Sequence, residues 1–484
     1  MSKFPTSKKR VFRADRIGYD ARDSSLRSLR IPCTCRRRLS ATKENKPCPP
    51  PDFPLTCGVA ASADDLSMSG RHGCVATGQF RGTSGRKARP SRRTVGDIRK
   101  EQRTVRFRMG VEEEFHVVDA ETGLLVPEAP VLLDDLPSDR FTGEFQLGVI
   151  ESQSGVHDSP AALRADLVGT RRTLDKVASQ RGLTVVAAGT VPLVPASSRG
   201  FGPDIRYTEM AGEYQALADE QLICGAQVHV DVPDRDTAVR AMPRLSPWLP
   251  VLLALSASSP FWQGADTGFA SWRTMVWQRW PSAGPAGTYA SAAEYDAAVD
   301  DLIRSGVISD AGMIYTDVRP SAHQKTLELR ICDACPDVDT VVLVAVLFRA
   351  MVVDACEAVA RRAPLRPVTH EWLRAATWRA ARSGLEGDLL DPTTLEPAPA
   401  HRVVCSMLKH LRPTLTAFGD WHSVAAATDA LLASGSAARR LRTAAFDSSW
   451  REVVGLLADL THAAEDEYEP RPSAPITEAN TCVA

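Results

Sequence analysis

Three consecutive carboxylates inside an apolar run, Gly110-Val111-Glu112-Glu113-Glu114-Phe115, constrain this chain more than any other feature. Residues 107–118 read as a β-strand, because glycine, valine and phenylalanine neighbours do not suit a solvated acidic loop. Alternation puts Val111, Glu113, Phe115 and Val117 on one face and Glu112, Glu114 and His116 on the other. Glu112 and Glu114 are then about 7 Å apart along the strand, a separation suited to ligands facing Mg²⁺. A solvated antiparallel face would show the same spacing, so further strands must contribute before the pattern acquires chemical meaning.

Two others repeat it. Strand 225–232 places Ala226, Val228, Val230 and Val232 on one side and Gln227, His229 and Asp231 on the other. Strand 326–331 turns Leu327, Leu329 and Ile331 inward and Thr326, Glu328 and Arg330 outward. A fourth strand, 143–151, carries Glu144, Gln146 and Glu151; the two glutamates have opposite parity, so both face one side only across a bulge or a strand end. Glu151 is the favoured contributor. Each residue alone has an ordinary structural explanation, but four strands with apolar and ionisable faces predict one polar, functional sheet face. Ser271-Trp272-Arg273 through Trp277-Gln278-Arg279-Trp280-Pro281 adds arginines suited to carboxylate or phosphate, and tryptophans that exclude water. Asp317-Val318-Arg319-Pro320 with His323, and Trp378-Arg379-Ala-Ala-Arg382, are weaker candidates of the same kind.

Between the strands, Ser159-Pro160 opens a helix with the stripe Leu163, Leu167, Leu174 and Val177, stopped by Gly182. A short strand at 183–188, helices at 208–222 and 292–305, and a mostly helical region beyond 337, broken by a loop at 384–400, complete the expected order. Asp119 to Gly123 is a turn able to close a hairpin. Antiparallel strands with helices gathered to one side predict an α+β fold. The apolar run 340–353 is shorter than the ~20 residues that span a bilayer and contains Arg349, so it reads as a buried helix opened by Asp337 or Asp339.

The formal net charge of −1 conceals two unlike parts. Residues 1–104 hold 24 Lys+Arg against 9 Asp+Glu, and the remainder 34 against 50. The first part reads as a disordered basic tail. It is expected either to precede the natural start, translation having been assigned too early relative to Val105 or Met109, or to act in targeting or binding. A folded domain is expected over 105–465, with a flexible tail over 466–484. Cys33, Cys35, Cys48, Cys57 and Cys74 match no zinc template, and Cys332-Asp-Ala-Cys335 lacks a redox-domain context. With no apolar signal core at the N-terminus, a reducing cytoplasm is expected.

Gly110–Phe115, Gln146 to Glu151, Cys224-Gly225 with Val228-His229-Val230, Ser258-Ser259-Pro260-Phe261-Trp262, Arg273 to Trp280-Pro281, Asp317 to Pro320, Thr326–Asp333 and Trp378 to Arg382 together carry a resemblance. They resemble, in order over most of 105–465, the type 2 glutamate–cysteine ligase family, in its bacterial ATP-dependent carboxylate–amine ligase branch. The resemblance implies a glutamine-synthetase-like catalytic domain: an antiparallel sheet whose concave face binds ATP and divalent metal, backed by helices. It implies ATP-driven amide formation through an acyl phosphate, with glutamate–cysteine ligase activity, on small amino-acid and amine substrates. Nucleic acid and membrane are not expected partners, and self-association is left open. By the same resemblance Glu112, Glu114, Glu151 and Glu328 are ligands of Mg²⁺, with Mn²⁺ as the alternative. His229 is a further ligand or phosphate contact, Arg330 stabilises the transferring phosphoryl group, Arg273, Arg279 and Arg319 bind phosphate or substrate carboxylate, and Gln146 contacts a substrate.

The chain departs from the family's frequent His-Val-His-Val-Gly at Gln227-Val228-His229-Val230-Asp231, which leaves metal affinity and the role of Asp231 open. The competing expectations are a guanidine phosphotransferase on the same core and a nucleotide-binding regulator without turnover.

Overall fold

Residues 106–366 and 368–462 are described by a computed structural model; the tails expected over 1–104 and 466–484 lie outside the described residues. Seven strands make one antiparallel sheet: β1 (Met109–Asp119), β2 (Phe141–Gly143), β3 (Val149–Gln153), β4 (Leu183–Val186), β5 (Ala226–Asp231), β6 (Val318–Pro320) and β7 (Thr326–Leu329). Their order is β2-β3-β1-β5-β7-β6, with β4 paired to the C-terminal half of β1. Strand β1 is therefore central, with β3 on one edge and β5 then β4 along the other.

Alternation explains why β1 sits there. Met109, Val111, Phe115 and Val117 are fully or almost fully buried on one face; each such side chain contributes about 1.5–3 kcal/mol on burial. That face packs into the cores containing Val228, Val230, Leu327 and Leu329 of the neighbouring strands. Helix α1 (Pro160–Ser179) begins as the sequence predicts, with the Ser159 side chain accepting from the Ala162 amide and proline in the first turn. Leu163, Leu167 and Leu174 form its buried stripe.

Helix α2 (Ile205–Tyr214) is shorter than the 208–222 expected, because Gln215 takes a positive φ of 50° and the chain restarts as a single turn, Ala216–Asp219. The short helix α3 (Trp272–Trp277) lies in the segment too irregular to assign from sequence. The long helix α4 (Val338–Ala360) starts after Asp337 and buries residues on all sides, among them Val341, Phe348 and Val352. Arg349 inside it is not stranded: it pairs with Asp420 and donates to the Asp158 carbonyl at 2.6 Å. No helix among the described residues is long and apolar enough to cross a membrane. The last described helix is α5 (Trp450–His462).

Two other expectations change. The stretch 384–400 contains a small hairpin, Asp388–Leu390 with Pro397–Pro399. The single strand expected over 143–151 is two strands, β2 and β3, separated by a turn in which the Val149 amide donates to the Gln146 carbonyl and the Leu147 amide is taken by Gly200. That break frees Glu144 from strand parity.

Candidate active site

Strand register brings the ionisable residues together. Across β1 and β3, Glu114 lies opposite Glu151; across β5 and β7, His229 lies opposite Glu328; across β6 and β7, Arg319 lies opposite the same Glu328. Cross-strand neighbours are about 4.5–5.5 Å apart at Cβ, so each pair shares one patch of the sheet. Two groups result. Glu112, His229 and Glu328 each offer a donor atom within 4.8 Å of the others, and Glu114, Glu144 and Glu151 do the same. All four glutamates expected as metal ligands, and His229, therefore fall in one or other group. Glu144, passed over for its parity, joins the second group because the chain turns after β2.

The groups differ in their counter-charges. Burial pushes the Glu114 carboxyl up to about 7, with Glu144 adding repulsion, although the Gly225 amide at 2.5 Å and the Gln227 amide nitrogen at 2.6 Å both donate to it. Burial, Glu144 and Glu112 likewise raise Glu151 well above the usual carboxylate range. Glu328 goes the other way. Burial alone would raise it, but the Arg330 and Arg319 guanidiniums hold it down at about 2. Arg319 makes a two-pronged contact, Nε at 2.8 Å and a terminal nitrogen at 3.0 Å, and Arg330 pairs with the same carboxylate. His229 donates or accepts at Nδ1 with the Thr326 hydroxyl, while its buried Nε2 has no hydrogen bond and stands 3.3 Å from Glu112.

The residues fit a hard divalent cation on three observations. The donors are carboxylate oxygens plus one imidazole, the Nε2 atom is an orphan, and the second group concentrates negative charge with no hydrogen-bonded arginine among the described residues. A cavity of about 250 Å³ opens beside them, lined among others by Glu112, Glu114, Glu144, Gln146 and Glu151 and by Arg273, Arg319 and Arg330. Tyr207, Trp277, Trp280 and Tyr315 supply its aromatic walls.

Arg273 reaches the cavity through a gap left by glycine. It is 2% exposed and donates to the backbone carbonyls of Ile331 and Arg330, both at 3.3 Å. A Cβ on Gly225 would overlap its guanidinium. Gly225 thus combines two tasks, its amide holding Glu114 and its missing side chain admitting Arg273.

The remaining expected residues are placed as follows. Gln146 lines the cavity, its amide nitrogen on the Ala218 carbonyl at 2.7 Å and its buried Oε1 without a partner. Arg279 does not line it; it pairs with Glu220 on a half-exposed surface. Asp231 is held by the Arg108 Nε at 2.7 Å and adds nothing to either carboxylate group. Trp378 is 45% exposed with Arg379 over its ring, outside this cavity. Glu113 points away from the site, as its parity predicts, into a buried pair with Arg171 at 2.6 Å. Arg171 sits within the leucine stripe of α1, and that interruption was the available sequence signal. Asp317, buried with its carboxyl pushed up to about 7 by burial, was noted only as part of a motif. Cys332 and Cys335 are free and buried.

The fold that carries these groups, an antiparallel sheet with helices packed against it, is shared with solved ligases. The glutamate–cysteine ligase of Francisella tularensis, solved in complex with AMP, superposes with a TM-score of 0.57 at 13% identity, over 76% of this chain and 91% of that one. A bifunctional glutathione synthetase from Pasteurella multocida gives 0.55 at 14% identity, over 74% and 52%. At such identities the likeness concerns the fold. The model of glutamate–cysteine ligase family 2 matches residues 108–459, and the chain belongs to that family. A protein provisionally named glutamate–cysteine ligase 2-2 from Frankia casuarinae is 50% identical over 76% of this chain, and one from Mycolicibacterium smegmatis 49% identical over 74%. The chain spans 42% of the length of the Frankia relative and 92% of the Mycolicibacterium one.

Proposed function

We propose that this sheet face is the active site of an ATP- and divalent-metal-dependent carboxylate–amine ligase, with glutamate as the acid and cysteine or a related amine as the acceptor. The single observation that carries it is the pair of metal-competent carboxylate groups beside the cavity that Arg273, Arg319 and Arg330 line. Family membership and the AMP complex of the Francisella neighbour support the use of a nucleotide.

The chemistry explains the residue types. A carboxylate oxygen attacks the γ-phosphorus of ATP, ADP departs, and an acyl phosphate forms; the amine then attacks the carbonyl carbon, phosphate leaves and the nitrogen loses a proton. Bringing one anion onto another requires opposing charge at both oxygens. Glu112, His229 and Glu328 would hold one Mg²⁺ and Glu114, Glu144 and Glu151 a second, and bound metal would supply Lewis-acid neutralisation of the phosphate oxygens. Arg330, fixed by Glu328 and lying over the Trp277 and Tyr315 rings, presents a guanidinium whose charge is permanent. Arg273 contributes a second cation across the cavity, and the aromatic walls exclude water that would hydrolyse the acyl phosphate. The Gln146 Oε1 atom is an acceptor for the substrate ammonium.

The test is ADP release by the full chain given ATP, Mg²⁺, glutamate and a panel of amines that includes cysteine, with products weighed by mass spectrometry. ADP matched by a new amide is the expected result. A phosphorylated guanidine, or ATP binding without ADP from any mixture, would replace this reading with one of its competitors.

A further inference from the structure

Behind Arg273 lies a second polar assembly that does not line the active-site cavity. Asp333 is fully buried and hydrogen-bonds on both carboxylate oxygens: Oδ2 accepts from the Ser258 amide at 3.0 Å and the Ser259 hydroxyl at 2.7 Å, and Oδ1 from the Ser271 hydroxyl at 2.7 Å. All three serines are fully buried too. Serine and aspartate side chains excluded from water cost much unless their hydrogen bonds are complete; here the Ser259 and Ser271 hydroxyls close on Asp333, while that of Ser258 donates to the Ala334 carbonyl at 2.7 Å.

What the assembly touches is the backbone that carries Arg273. The Ser259 oxygen that donates to Asp333 accepts the Arg273 amide at 3.1 Å. The Ser271 oxygen accepts the Thr274 amide at 3.3 Å and caps α3, the helix whose second residue is Arg273. At the far end of the arginine, both carbonyls receiving its guanidinium belong to Arg330 and Ile331, immediately before Cys332 and Asp333 in the chain. One carboxylate thus stands behind both ends of the same side chain. Its space is protected as well: a Cβ on Gly189 would come within 2.8 Å of the Asp333 Oδ2 and of the Ser259 Cβ.

We infer that Asp333 is a positioning residue, acting through Ser259 and Ser271 to set the backbone and side chain of Arg273 at the cavity. The inference rests on the ligase reading, in which Arg273 meets phosphate or carboxylate. A carboxylate is required because three donors converge on two oxygens with no donor of their own. Asparagine keeps the shape, but its NH₂ can be met only at Ser271, whose hydroxyl must then accept and turn its hydrogen to the Thr274 hydroxyl at 2.8 Å, so the charged contact is exchanged for a weaker reversed one and the cap beside Arg273 is loosened.

A double-mutant cycle tests this on the full chain, with ADP release and ATP–Mg²⁺ binding by calorimetry as separate readouts and thermal unfolding to count folded protein. Asp333→Asn is expected to lower kcat about 30-fold per folded molecule, and Arg273→Ala about 100-fold. Combined, they should lose no more than Arg273→Ala alone. Ser259→Ala, a milder change that keeps the carboxylate, should lose about fivefold on the wild-type background and nothing on the Arg273→Ala background, and it carries the test if Asp333→Asn does not fold. A lower melting temperature with wild-type kcat, or losses that multiply in full in the double variants, overturns the inference while leaving the ligase reading intact. A wild-type protein that neither binds nor cleaves ATP overturns both.

Discussion

The group formed by Glu112, His229 and Glu328 has two guanidiniums bonded to it, whereas among the described residues that of Glu114, Glu144 and Glu151 is hydrogen-bonded by amides alone. Both stand on one face of one sheet, and both consist mainly of glutamate. In the first, Glu328 ionises more easily than in water; in the second, Glu114 and Glu151 ionise less easily. The first group is therefore held together by its own counter-charges. The second assembles against its own repulsion, so a bound cation would change its energy most.

The largest effects concern turnover, where the proposed ligase reading uses both groups and the contrast should vanish. Glu112→Gln, Glu114→Gln and Glu328→Gln are each expected to lower kcat by at least about 10²–10³-fold, measured as ADP release from cooperatively folding protein. Retained activity in any of them removes that residue from the metal assignment.

Metal-free stability should separate the groups by sign. With chelator present at pH 7, Glu328→Gln strands Arg319 and Arg330 and should lower unfolding free energy by about 3 kcal/mol. Glu151→Gln removes repulsion and should raise it by about 1 kcal/mol. Denaturant titration decides; a shift of the same sign in both variants breaks the comparison.

A carboxylate outside both groups calibrates the electrostatics. Burial alone would raise Asp166, but hydrogen bonds from Arg140, His157 and the Gly155 amide depress it to about 2. A depressed carboxylate stabilises the fold above its unfolded value of 3.8 and loses that contribution as pH falls through about 2. Asp166→Asn should therefore cost about 2 kcal/mol at pH 6 and progressively less between pH 4 and 2, read from denaturation curves at each pH. A pH-independent penalty would assign its effect to packing. Smallest of all, Arg279→Ala should change kcat/KM by less than about threefold and stability by no more than about 0.5 kcal/mol, because its partner Glu220 is a surface group.

The polar face was legible in the sequence because strand alternation is a strict two-residue rule, and Glu112, Glu114, His229, Glu328 and Arg330 all obey it. Glu144 escaped because its position depends on where a strand stops, which the contact of Leu147 with Gly200 determines and local pattern does not. Arg279 misled for a related reason: three tryptophans and two arginines in eleven residues advertise recognition, but the six-residue helix that carries Arg273 ends at Trp277, and Arg279 lies in the turn beyond it. Arg273 goes inward and Arg279 outward. Asp333 lay in a motif whose chemistry was invisible until the three serines, distant in sequence, closed around it.

The ion pair of Glu113 with Arg171 carries one more meaning, in the order of synthesis. Arg171 also donates to the carbonyls of Cys335 and Pro336 and to that of Thr461, 290 residues downstream, in α5. While a ribosome is still making the C-terminal half, the guanidinium behind β1 lacks these acceptors, and the middle glutamate of the triplet faces an unfinished wall. The guanidinium paired with the middle glutamate thus ties β1 to the start of α4 and to the last described helix, elements separated from it by up to 290 residues of chain.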